Sequence, residues 1–310
     1  MASQQMFVSV VPARIAQRAV ATLLALILSG AVSAQPVEQA PARGATENVT
    51  VRAQRVESWN YSAGFVTSLL RPSFTMQDQF AKWKQPVCPR VKGMSAASAH
   101  LIEHRIRQIA EKIGAPLDQN EACAPKNIVI VVSQEPQTIL EGLKDKDRPL
   151  FASTPPGDLK MRYPVQVWYY SVDIDYNGQT YTESDPFFSD TPAMKSNYTQ
   201  LSTGIQPETR MATIIADSNA ISGMALGTFA DYVALLSLAQ TPVTGRCQPA
   251  PSIANLFLTD CEDGFHTTSL STADLALLTG IYQTPDTPER LQKVRIIANM
   301  RKNLEMAQHK

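Results

Sequence analysis

The sequence predicts an α/β (α+β layered) domain, a mixed sheet packed on one central apolar helix, behind an N-terminal signal and tether. Three observations predict it. Runs of apolar, aromatic and β-branched residues at 127–133, 163–175 and 210–217 have the length and composition of strands. Helical patterns lie between and after them. The stretch 223–240, GMALGTFADYVALLSLAQ, is apolar almost all round, as a helix inside a domain must be.

The elements follow in chain order. Residues 1–18 carry Arg14 and Arg18 and no acid, the apolar run AVATLLALIL follows, and SGAVSA ends in small residues. That pattern reads as a secretory signal peptide cleaved after Ala34. The apolar run is too short to cross a bilayer, and no later stretch is long and apolar enough. The expected location is therefore exported, periplasmic or secreted, with no stable membrane insertion after cleavage. Cleavage leaves 26 basic and 28 acidic residues, a net charge of −2. A nearly neutral chain has no overall attraction to nucleic acid.

Residues 35–47 are rich in Pro and Ala, without periodicity, and read as a disordered tether. A single exported domain is expected over 48–310. NVTVRAQRV at 48–56 alternates like a strand. A first helix is expected at 63–70 or within TMQDQFAKW, and KQPVCPRVKG reads as a Pro-broken loop. Residues 95–114 form a helix opened by Ser95 and closed by Gly114. EPQTILEGLKD begins another, with Pro136 in its first turn. The polar segment 176–209 is expected to be a long excursion. Ser271 and Asp274 cap a helix over ADLALLTGIYQ in the manner of a capping box. Thr287-Pro288 opens a last amphipathic helix to about residue 306.

Cys88, Cys123, Cys247 and Cys261 are the cysteines of the exported part. An even count in an oxidising compartment reads as two disulfides, with three pairings possible and the local pairs Cys88–Cys123 and Cys247–Cys261 favoured. A four-cysteine zinc site would call for C-x2-C pairs, and none exists.

His100-Leu-Ile-Glu103-His104 matches H-x-x-E-H, the zinc signature of the inverted zincin peptidases. The two histidines share a helix face. At 100° per residue, Ile102, Ile106, Ile109 and Ile113 form the opposite, apolar stripe. His100 and His104 then face water beside Arg107 and Glu111, where no dry third-ligand cavity is expected. A zinc metallopeptidase using residues 100–104 is the alternative reading. Asp173 and Asp175 alternate on a strand and are expected at a solvated edge. In the same strand either Trp168 and Tyr170, or Tyr169, must turn outward. No G-x-S-x-G elbow, phosphate loop or dinucleotide fingerprint is present.

Two resemblances add to this. VTVRAQR resembles the short N-terminal segment of TonB-dependent receptors, which suggests an accessory factor of an outer-membrane uptake system. Residues 210–283 resemble the C-terminal half of zincin-type metallopeptidases: a strand, a central helix, a Pro-Ser-Ile turn at 251–253, and LSTADLALLTGIY with Leu270, Ser271, Asp274, Leu277 and Tyr282 matching. Residues 210–257, with the pattern ADYVA-x-L-x-L-x-Q at 230–240, also look like an uncharacterised exported bacterial protein family. In the natural register the H-E-x-x-H pattern falls on Ala230-Asp231-Tyr232-Val233-Ala234. Alanine cannot bind a metal. The resemblance therefore implies a zincin-like fold with no catalytic residues, no metal ligands and no cofactor, serving an unknown protein or peptide partner.

Overall fold

A computed structural model describes residues 58, 60–72, 79–144, 146, 148–151, 159–175, 178, 180, 205–241, 243–287 and 289–308. The chain divides into two units, Met1–Ala45 and Thr46–Lys310. The predicted signal, tether and strand at 48–56 lie outside the described residues.

The architecture is α/β. The strands are β1 (Lys82–Trp83), β2 (Pro89–Lys92), β3 (Ile128–Ser133), β4 (Val165–Asp175) and β5 (Ile205–Asp217). β5 is the spine of the sheet. Along one side its first half takes β1 in parallel, with Trp83 opposite Thr209, and its second half takes β3, with Ile130 opposite Ile214. β2 pairs in parallel on the far side of β3. β4 runs antiparallel along the other side of β5, from Val165↔Ala216 to Asp175↔Ile205, with a bulge at Tyr170/Ser171. β1 and β2 fall within stretches read as a possible helix and a Pro-broken loop. Pro89 is the first residue of β2, a position where a missing N–H is tolerated. The first helix, α1, covers 60–69. The polar excursion is also shorter than expected, because 205–209 belong to β5.

Both sheet faces are covered. On one face lie α1, α2 (Ala96–Ile113), α4 (Leu226–Leu238), α5 (Thr272–Gln283) and α6 (Glu289–Gln308), around Ile128, Ile130, Ala212 and Ile214. On the other lie α3 (Pro136–Lys144) and a 3-10 turn, Arg148–Phe151, packed on Trp168 and Ile215. The alternation of β4 explains its aromatics. Trp168 meets Phe151 edge-on at 5.9 Å, while Tyr169 enters the larger core. Neither face of β4 is simply turned to water.

α4 holds the arrangement together. Every residue from Thr228 to Leu238 is buried. A helix inside a core leaves its last carbonyls without intrahelical donors. Here Tyr169 Oη donates to Leu236 O at 2.6 Å, Trp83 Nε1 to Ser237 O at 2.7 Å, and Tyr282 Oη to Leu238 O at 2.8 Å. One donor comes from β4, one from β1 and one from α5, so three elements converge on one helix end. Burial raises the Tyr169 and Tyr282 phenols well above their ordinary value.

Candidate functional site

The side chains of Ala230 and Ala234 are wholly buried, and Asp231 between them is 2 % exposed. Arg105 of α2 grips the Asp231 carboxylate, with Nε 2.6 Å from Oδ1 and Nη2 3.2 Å from Oδ2. The backbone N–H of Leu270 donates to the same Oδ2 at 2.9 Å. Asp231 thus ties α2, α4 and the entry to α5 together. The hydrogen bond to Asp231 also raises the affinity of the Arg105 guanidinium for its proton. Both oxygens of this carboxylate are engaged, and it lies between two buried methyl groups.

Beside α4 the groove is nearly filled. Tyr232 meets Phe257 edge-on at 5.0 Å. With Leu69, Tyr163, Leu236 and Leu258 they leave a slot of about 20 Å³, room for little more than one water. A second cavity of about 520 Å³ lies between α1 and the loop around Cys247, and Thr244, Arg246 and Gln248 line both. That loop is well fixed. Buried Asn255 accepts from Gln248 N–H at 2.7 Å and donates to Ala250 O and Phe265 O. The 3-10 turn at Ile253–Asn255 is joined to α5 through Asp274, which accepts from Ser252 Oγ at 2.6 Å and from Ile253 N–H at 2.9 Å. Asp274 also closes the expected capping box with Ser271. Burial pushes its carboxyl up, and the Ser252, Ile253 and Ser271 donors pull it back.

Cys88 is bonded to Cys123, and Cys247 to Cys261, the two local pairs. The first pins the loop after α2, and the second closes the cavity loop.

The HLIEH stretch lies on the surface of α2. His100 and His104 side chains are 70 % and 49 % exposed, their rings stack at 6.1 Å, and both face Glu121, at 3.7 and 3.3 Å. The hydrogen bond from His104 holds the Glu121 carboxyl below its ordinary value, helped by the charge of His100. Glu103 accepts from the Val91 N–H of β2 at 2.8 Å, so it stitches helix to sheet. Ile102, Ile106, Ile109 and Ile113 are buried as their spacing requires. Arg107 corrects the helical-wheel reading: it is buried, and its Nη2 donates to Asp118 O at 2.6 Å. The loop carrying Asp118 folds over that side of the helix, held by the Cys88–Cys123 bond. Among the described residues no group of three or more His, Cys, Asp or Glu is placed to hold a metal ion.

Asp173 and Asp175 are likewise buried rather than solvated. β4 stays paired with β5 to its last residue, so both acids lie within the ladder. A further crevice of about 310 Å³ lies at the carboxyl ends of β2, β3 and β5, lined by Gly93, Ser95, Val132, Ser218 and Phe229. No charged group lines it.

Sequence reasoning passed over Arg105, Arg71, Arg246 and Gln248. Asp231 did carry a signal, being the one charged residue in an apolar helix, and a buried charge demands a partner. No family model, curated protein or solved structure matches the chain.

Proposed function

We propose that the chain is a non-catalytic exported binding protein on a zincin-like scaffold that lacks metal ligands. The observation that carries this reading is the setting of Asp231. In the stretch laid on the H-E-x-x-H pattern, both histidine positions are buried methyl groups, and the acid is engaged by Arg105 and Leu270 N–H. A catalytic zinc needs three protein ligands and an open position for water, and buried alanines supply neither.

The layout supports the scaffold part of the reading. The strand β5 leads into the central helix α4, the turn at Ile253–Asn255 follows, and α5 closes the unit. On a zincin-like reading a strand runs along the substrate cleft, and the antiparallel strand β4 is our candidate for it. Beyond β5, β4 has no strand partner among the described residues apart from the single bridge Ile174–Thr180. Two disulfides, and the lack among the described residues of a helix long and apolar enough to cross a membrane, are compatible with export.

The test is elemental analysis of the purified protein together with a peptide-hydrolysis assay with and without chelator. The expected result is substoichiometric zinc and no chelator-sensitive cleavage. Stoichiometric zinc that is lost in His104→Ala would instead assign the chain to the metallopeptidases through residues 100–104.

A further inference from the structure

The cavity between α1 and the Cys247 loop is lined by cationic and not by acidic side chains. Arg71 and Arg246 both line it, and none of its lining residues is acidic. Arg105, Arg210 and Arg301 pair with carboxylates, whereas Arg71 and Arg246 have no ion-pair partner among the described residues. Two uncompensated guanidinium groups in one concavity favour an anion, and the planar fork of arginine suits a carboxylate.

The lining supplies a second requirement. Gln248 is 5 % exposed, and its Nε2 donates to Arg246 O at 3.3 Å, which fixes the sense of the amide. Among the described residues its Oε1 has no hydrogen-bond partner. A buried acceptor left unsatisfied costs free energy that a ligand N–H can recover. The cavity, at about 520 Å³, has the size of a small-ligand site, and it shares Thr244, Arg246 and Gln248 with the apolar slot of about 20 Å³ beside Leu69, Leu236 and Phe257.

We infer that this cavity binds the C-terminal carboxylate of a peptide with a small terminal residue. Arg71 and Arg246 take the carboxylate, Gln248 Oε1 takes the N–H of the terminal residue, and the slot takes a methyl-sized side chain. A peptide terminus carries all three features within one residue. The slot is bounded by Tyr163 and Pro164, which lead directly into β4, so the rest of the peptide has an edge strand to follow. This inference rests on the binding reading above and names its ligand class.

The experiment is calorimetric titration with acetyl-Ala-Ala-Ala as the free acid. Its C-terminal amide, acetyl-Ala-Ala-Phe, free alanine and inorganic phosphate are titrated in parallel. Saturable one-to-one binding of the acid is expected, with the amide and the Phe-terminated peptide each at least tenfold weaker. Arg71→Ala and Arg246→Ala should each weaken the acid at least fivefold while leaving the melting temperature unchanged, since both side chains are exposed. Equal binding of acid and amide, no saturable heat, or free alanine or phosphate binding as tightly as the peptide would each overturn the inference. Mass spectrometry of the same samples separates the two failures. Chelator-sensitive cleavage removes the non-catalytic reading, whereas an intact but unbound peptide removes only the ligand assignment.

Discussion

Arg105 of α2 and Asp231 of α4 form a two-point ion pair, Nε to Oδ1 at 2.6 Å and Nη2 to Oδ2 at 3.2 Å, with the carboxylate almost wholly buried and the guanidinium side chain 42 % exposed. Removing one member of a fully buried pair costs roughly 3–5 kcal/mol. Water at Arg105 offsets part of that, so Arg105→Ala is expected to lower stability by about 2 kcal/mol. Asp231→Asn keeps an acceptor for Leu270 N–H and should cost about 1 kcal/mol. The double variant should cost little more than Arg105→Ala alone, because the uncompensated charge is gone. Urea denaturation of all four proteins checks this, and simple addition of the two single costs would refute the coupling.

The two disulfides close loops of different length, with sequence separations of 35 and 14. In the loop-entropy account their removal costs about 4 and about 3 kcal/mol respectively. Cys88→Ser/Cys123→Ser should therefore be the less stable double variant by about 1 kcal/mol. Asn127 reinforces the order, since its Oδ1 accepts from Cys88 N–H at 2.7 Å and its Nδ2 donates to Pro86 O at 2.9 Å. Denaturation midpoints in which the Cys247–Cys261 variant is the weaker would count against the entropic account here.

Much of the fold was legible because local pattern and tertiary role agree in it. The isoleucine stripe of α2, the Ser95 and Gly114 caps, the capping box at Ser271 and the apolar run of α4 each answer to one short stretch. What was not legible depends on partners distant in sequence. β1 is two residues long and exists because Lys82 and Trp83 meet Glu208 and Thr209. Arg107 lies on the polar side of its helix and is buried all the same, because a loop beyond the helix end covers it. The binding cavity is less legible still, since Arg71 and Gln248 come together only through the fold. No spacing in the sequence announces that meeting.

Gly93 marks a place where two strands leave no room for a side chain. Its φ is +85°, and a Cβ there would lie 1.9 Å from the carbonyl oxygen of Val132. A side chain would meet both the left-handed backbone and a hard contact with β3. Gly93→Ala is expected to cost at least about 2 kcal/mol, well above the usual effect of a surface substitution. A thermal or urea midpoint equal to that of the parent protein would show that β2 and β3 can separate at this point without cost.

The end of α4 gives the protein a steep alkaline limit. Burial raises the phenols of Tyr169, Tyr232 and Tyr282 above the ordinary tyrosine value in the folded chain. In the unfolded chain the same groups titrate near pH 10. Their contribution to stability is therefore complete below about pH 10 and is lost as the pH rises toward their folded values, because only the unfolded chain releases those protons. Three groups acting together lower stability by about 4 kcal/mol per pH unit in that window. Two of them, Tyr169 and Tyr282, also lose their role as donors to Leu236 O and Leu238 O once ionised. Ultraviolet titration should thus show three of the nine tyrosines silent until the chain unfolds, then appearing together with the loss of near-ultraviolet circular dichroism. Nine tyrosines titrating smoothly near pH 10, with the fold intact, would mean that Tyr169, Tyr232 and Tyr282 are open to solvent.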